Sequence, residues 1–173
     1  MAISRREWLG LSAVGAVAAA AGALVGPILL QTGSGAAELM RAGFTDLAGR
    51  PRKLTEWRDR ALLCNFWATW CEPCREEIPL LGDRRERYAA RGLEVLGIAV
   101  DTAVNVAKFV EKTPISYPIL LGGFDTLDLM RRLGNKAGGL PFTVILDRSG
   151  VITYSKLGAL KERELDSQLA AIL

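Results

Sequence analysis

The segment Trp70-Cys71-Glu72-Pro73-Cys74 sets two cysteines three residues apart. Where such a pair opens a helix, the two sulfurs lie within disulfide distance. Cys71 stands nearer the helix N-terminus, whose partial positive charge stabilises a thiolate and lowers the thiol pKa. Cys71 is therefore the expected attacking thiol, opening a partner disulfide and forming a mixed disulfide with it. Cys74, one turn further in and more buried, would resolve that intermediate by attacking the Cys71 sulfur. A structural disulfide and half of a zinc site are the alternatives. Zinc takes four ligands, usually Cys or His. Beyond this pair the chain offers only Cys64, and it contains no histidine. No metal is expected at the site, and no cofactor other than the redox-active Cys71–Cys74 disulfide itself.

The lack of histidine excludes other chemistries. Ser-His-Asp and Cys-His hydrolases, HExxH zinc proteases and His-ligated haem all require it. Arg75 directly after Cys74 excludes c-type haem attachment. A peroxiredoxin pattern, Pro-x-x-x-Thr-x-x-Cys, is also missing, because Cys64 and Ala68 fill the Pro and Thr places counted back from Cys71. The 173-residue chain is 50% hydrophobic, which excludes a disordered protein. Its net charge of +3 comes from 22 basic and 19 acidic residues mixed along the sequence, which argues against a nucleic-acid partner.

The elements that must position the cysteines can be read around them. Residues 61–67 are nearly all apolar and predict a buried central strand. Residues 72–91 predict a helix, acidic early and basic late as the helix dipole favours, capped by Gly92 and kinked at Pro79. A strand at 93–100 follows, then a helix marked by Val106, Phe109 and Val110. A short strand at 119–121 precedes a short helix at 126–133, capped by Thr126 or Asp125 and ended by Gly134. Gly138-Gly139-Leu140-Pro141 leads into a strand at 142–146, and the turn at 147–150 leads into another at 151–154. Leu165, Leu169 and Ile172 mark a last helix. Ahead of all these, residues 44–46 and 52–54 read as two short strands joined by a Gly-Pro turn. The order is ββ-βαβα-(β)α-ββα, an α/β domain. The run Asp83-Arg84-Arg85-Glu86-Arg87 reads as a solvated helix face. Cys64 reads as a small buried hydrophobe. Trp67 and Trp70 are expected at the rim of the site, and Phe66 in the core.

The first 36 residues read differently. No charge occurs between Glu7 and Glu38, and residues 9–30 are a run rich in Ala, Gly, Val and Leu, long enough to span a bilayer. Arg5 and Arg6 at its N-terminal side keep that end cytoplasmic and direct the remainder outward. Ser4-Arg5-Arg6-Glu7-Trp8-Leu9 resembles the twin-arginine export signal, and residues 34–36 offer a small-residue cleavage site. An ordinary secretory signal or a retained anchor is the alternative. The expected division is a signal or anchor over 1–36 and a soluble domain over 37–173.

The segment from Asn65 to Cys74, Pro79 within the helix, and Gly139-Leu140-Pro141 before a strand resemble the thioredoxin fold, and more closely the exported TlpA/ResA-like thiol-disulfide oxidoreductases. The resemblance runs from about Phe44 to the end of the chain. It implies a central mixed sheet flanked by helices, with an N-terminal β-hairpin and a central insertion around residues 101–117. It also implies a cis Pro141 facing the cysteines, with Leu140 offering its backbone to an extended substrate strand. Trp70, Glu72, Pro73 and Leu140 become the substrate-binding candidates, with Glu72 tuning the potential between the cysteines. Cys71, Cys74, Pro141 and Glu77 become the catalytic ones. Thioredoxin has a buried aspartate where this chain has Asn65, which cannot shuttle a proton. Glu77 matches a helix glutamate of ResA-like proteins; partly buried, it would have a raised pKa and exchange protons with Cys74.

The function so implied is reduction of disulfides in extracytoplasmic clients, in cytochrome c maturation or respiratory copper-centre assembly. Electrons would come from a membrane conduit of the DsbD/CcdA type. The setting would be the periplasm or the outer face of a bacterial inner membrane, and the protein would be a monomer. A thiol oxidant or isomerase using the same cysteines, and a non-enzymatic Cu(I) carrier, are the rival readings.

Overall fold

Strand order follows from where the apolar runs are longest. In the computed structural model, which describes residues 35–173, β3 (Ala61–Trp67) and β4 (Leu93–Ala99) are buried along their whole lengths and pair in parallel at the centre of the sheet. Strands covered on both faces need no polar alternation, so both read as continuous apolar runs. The full order is β2-β1-β5-β4-β3-β6-β7. β5 (Ile119–Leu121) extends the parallel side, and the hairpin of β1 (Gly43–Thr45) and β2 (Pro51–Lys53) closes that edge. β6 (Phe142–Leu146) pairs antiparallel with β3, and β7 (Ile152–Leu157) pairs with β6. The sheet is therefore mixed, with the N-terminal hairpin in place.

Three helices lie between the strands, α1 (Glu72–Tyr88), α2 (Ala103–Lys112) and α3 (Thr126–Arg132), and α4 (Glu162–Ile172) follows β7. Residues 35–41 are helical as well. Two apolar clusters fill the two faces of the sheet. Ala61, Leu63 and Trp67 join Cys74, Ile78 and Leu81 of α1, Val106 of α2 and Leu165 of α4 on one face. Leu62, Cys64 and Phe66 join Leu129 and Met130 of α3 and Leu39 on the other. Alternation along β3 makes this division, since successive side chains point to opposite faces.

Two local expectations change. The α-helix from Glu72 ends at Tyr88, and a 3-10 turn carries the chain through Ala89–Arg91 to Gly92, which takes φ 87°. That left-handed conformation suits glycine. Pro79 lies inside α1, as expected. Asp125 occupies the N-cap of α3 without a side-chain capping bond. α2 occupies the insertion between β4 and β5. Gly97 in β4 is required by crowding, because a Cβ there would lie 2.9 Å from the Tyr117 ring and 3.1 Å from Trp67 Nε1.

The charged run on α1 is corrected. Arg84 is only 2% exposed and bonds to Asp166 and Glu162 of α4 and to Asp83. Asp83 and Glu86 are exposed as expected, but helix α4 covers Arg84. The expected signal or anchor falls almost wholly outside the described residues. The boundary expected between residues 36 and 37 falls within the 35–41 helical stretch, whose Ala36 and Leu39 are buried. Among the described residues no helix is long and apolar enough to cross a membrane.

Candidate active site

β3 ends at Trp67, and the chain turns over residues 68–71, where the Cys71 N–H donates to the Ala68 carbonyl at 3.2 Å. Cys71 is the N-cap of α1, with extended backbone, and its carbonyl accepts the first helical bond from the Arg75 N–H at 3.2 Å. Pro73 fits the first turn because its missing N–H would have no helical acceptor there. Cys71 and Cys74 are joined as a disulfide with Cα atoms 5.3 Å apart. Both are buried, and Cys74 is the deeper. Trp70 beside them is 64% exposed, and Glu72 and Pro73 are exposed too. Trp67, expected at the rim, is instead 1% exposed, because α2 covers that face of β3 and sets Phe109 against the indole.

The loop before β6 carries a cis Leu140–Pro141 peptide bond, as the resemblance implies. Leu140 is partly exposed and packs against the cluster that contains both cysteines. Asn135, buried, holds this loop from behind. Its amide Nδ2 donates to the Gly139 carbonyl at 2.8 Å, and its Oδ1 accepts from the Gly139 N–H at 3.2 Å. The Gly158 N–H donates to the Pro141 carbonyl at 2.8 Å.

Glu77 lies one turn beyond Cys74 on α1 and is 4% exposed. Residues three apart on a helix share a face. Asn65 Nδ2 donates to its Oε2 at 3.2 Å, and the Leu160 N–H donates to its Oε1. The same Asn65 amide donates to Thr143 Oγ, directly across the β3–β6 pair, at 3.0 Å. Burial pushes the Glu77 carboxyl above the ordinary range. The Leu160 N–H, Asn65 and the Lys156 charge pull the other way without cancelling the rise. Cys64, although only seven residues from Cys71, projects from the opposite face of β3. Burial drives its thiol pKa far up, so it is an inert hydrophobe.

Asp101, Asn135, Thr143 and Leu160 support the site without having been singled out from sequence. Asp101 at a strand end and Asn135 just past a helix are the only signals they gave. Both residue types often bond to nearby backbone in such places.

A Cys71–Cys74 disulfide at a helix N-terminus of a thioredoxin fold, with a cis proline entering β6 and a buried carboxylate one turn further along the same helix, is the arrangement of a thiol-disulfide oxidoreductase. The chain belongs to the AhpC/TSA family, which it matches over residues 36–155. It is 31% identical over 130 residues to the thiol-disulfide oxidoreductase ResA of Geobacillus thermodenitrificans (strain NG80-2), covering 75% of this chain and 72% of that protein. Among solved structures, it resembles a thioredoxin-related protein from Neisseria meningitidis serogroup B at 30% identity and a TM-score of 0.66, over 75% of this chain and 97% of that one. A thiol:disulfide interchange protein from Chlorobium tepidum TLS shares 28% identity and a TM-score of 0.63, over 76% and 92% of the two chains. The peroxiredoxin cysteine pattern is still missing from this sequence. Its redox site is the Cys71–Cys74 pair.

Proposed function

We propose that the protein acts outside the cytoplasm as a disulfide reductase, and that Glu77 manages the protons. The observation that carries this reading is the buried carboxylate of Glu77 one turn behind the buried Cys74 thiol, on the same helix. In the reduced enzyme, the Cys71 thiolate attacks a client disulfide and expels one client sulfur, which takes up a proton. Cys74 then gives its proton to Glu77 and attacks the Cys71 sulfur. The second client sulfur leaves, and the Cys71–Cys74 bond closes. Two electrons pass to the client. A carboxyl held above its ordinary pKa by burial is suited to this exchange.

Pro141 and the Leu140 backbone would bind the client as an extended strand, with Trp70, Glu72 and Pro73 lining its path. The Arg5-Arg6 leader and the uncharged run behind it support export of a 37–173 domain, as a cleaved product or anchored through residues 9–30. Clients would be apocytochrome c thiols or copper-centre thiols. The donor would be a membrane conduit of the DsbD/CcdA type, and the protein would work as a monomer. Cys64 lies on the other face of the sheet from the pair, so a three-cysteine copper site is disfavoured relative to the dithiol.

The test is the reduction potential of the pair, together with its redox state trapped in cells. A potential below about −230 mV and a reduced steady state support a reductase. A potential near about −120 mV and a fully oxidised pair overturn it in favour of an oxidant. Cys71→Ser and Cys74→Ser should each abolish turnover.

A further inference from the structure

The short turn that presents Cys71 has an anchor outside the cysteine motif. Asp101 follows β4 and is buried. Its Oδ2 accepts from the Thr69 N–H at 3.1 Å and from the Thr69 hydroxyl at 2.5 Å. Its Oδ1 accepts from the Thr102 N–H at 2.7 Å and from Asn105 Nδ2 at 2.9 Å. One carboxylate thus ties the active-site turn to the N-terminus of α2, where Thr102 is the N-cap and accepts from the Asn105 N–H. Thr69 is the second residue of the turn whose ends are bonded by Cys71 N–H and Ala68 O. Trp70, exposed, and Cys71, the N-cap of α1, follow it directly. Both the backbone and the side chain of Thr69 are thus tied to Asp101 directly before Trp70 and Cys71.

We propose that Asp101 is a positioning residue for the dithiol, acting through Thr69 to hold the 68–71 turn so that Trp70 and Cys71 meet a polypeptide client in one orientation. α2, the insertion helix, completes the support through Asn105, and Phe109 braces Trp67 just before the turn at a ring separation of 5.4 Å. Burial pushes the Asp101 carboxyl up, but its four hydrogen bonds outweigh that and keep it below the ordinary carboxylate range, so the acceptor is ionised at neutral pH. Bonds of this kind pre-organise a site, and a peptide that must dock in one orientation feels their loss more than a small disulfide that can approach the sulfur from several directions. The inference holds for either direction of electron flow, because it concerns only how the sulfur is presented.

The test uses the full chain, pre-reduced, in single turnover against two oxidants: hydroxyethyl disulfide and a short peptide closed by one intramolecular disulfide. In each case the protein dithiol closes to a disulfide and the oxidant is reduced to two thiols, so electrons balance. Thr69→Val removes the hydroxyl donor but keeps the Asp101 charge; Asp101→Asn removes the charge and two of the acceptor positions. Both variants are expected to slow the peptide reaction about tenfold while the hydroxyethyl disulfide rate stays within about twofold. Thr69→Ser should restore the peptide rate. In Asp101→Asn, hydrogen exchange should accelerate at the Thr69 and Cys71 amides and stay slow along β3 and β4. Wild-type peptide rates in Thr69→Val overturn the proposal. So does a common fall in both rates, which marks a purely structural role, and so does an effect confined to Asp101→Asn, which marks a role of charge alone.

Discussion

Glu77 and Arg84 lie two turns apart on α1, and each is almost fully buried. Arg84 meets three carboxylates, and the hydrogen bond with Asp166, followed by those with Glu162 and Asp83, outweighs burial and fixes it as a cation. Glu77 meets an amide, a backbone N–H and a more distant Lys156, and no cation contacts it directly. Burial therefore dominates and the carboxyl is held toward its neutral form. The same helix thus carries one locked charge and one that can change. The locked one joins α1 to α4 and is architectural. The changeable one lies one turn beyond Cys74. A buried ionisable group stays titratable only where its partners are too few or too neutral to hold its charge.

Breaking the locked side should have the largest effect. Arg84→Ala is expected to cost about 2–4 kcal/mol, from the lost ion contacts and a vacated buried site. Urea unfolding checks this, and the disulfide-exchange rate of the folded fraction should be unchanged. A second acid would sharpen the contrast on the other side. Asn65→Asp removes the donor shared by Glu77 and Thr143 and places a like charge there, so Glu77 should titrate still higher. We expect a loss of about 1–3 kcal/mol at neutral pH and an upward shift in the exchange pH profile. On the opposite face, Cys64→Ala should cost about 1 kcal/mol and leave the reduction potential unmoved; a changed potential would give Cys64 a redox role.

The smallest effect on stability, and the most informative, is that of Glu77→Gln. Glu77 has a folded pKa above its ordinary value of 4.5. Above that value the unfolded chain has released a proton that the folded protein still holds. Stability contributed by Glu77 is therefore present below pH 4.5 and is lost as pH rises through the folded pKa. The difference between Glu77→Gln and wild-type unfolding curves, taken from pH 4.5 upward, should show this slope in wild type alone. At neutral pH the variant should lie within about 1 kcal/mol of wild type. Its exchange rate should fall, and its pH profile should keep the Cys71 ionisation and lose the contribution of Glu77. A flat wild-type difference would make Glu77 a fixed charge like Arg84.

Much of the fold was readable because the signals were local. The apolar runs of β3 and β4, the caps at Gly92 and Gly134, and the Gly-Pro turn of the hairpin each depend on a few adjacent residues. The order of elements and the bonded Cys71–Cys74 pair follow that reading, and the mixed sheet follows the resemblance to the thioredoxin fold. The errors came where a neighbour distant in sequence decides. Arg84 in a run of charges looks solvated until α4 covers it. Trp67 looks like a rim residue until Phe109 of α2 packs against it. Asn65 lacks the proton chemistry of an aspartate, and its residue type shows that much. That its amide joins Glu77 to Thr143 could not be seen before β6 was laid against β3.

By itself the sequence determined the chemistry available: two thiols at the start of a helix, no imidazole, and a third cysteine one strand position out of phase with Asn65. These facts rest on residue type, spacing and the period-two alternation of a strand, all short-range. The tertiary structure decided which groups are desolvated and which are satisfied. It buried Glu77 without a cation and Arg84 with three carboxylates, and it brought Asn135 to Gly139 and Asp101 to Thr69. Desolvation and hydrogen bonding between segments depend on what packs against a residue, and only the folded chain supplies that.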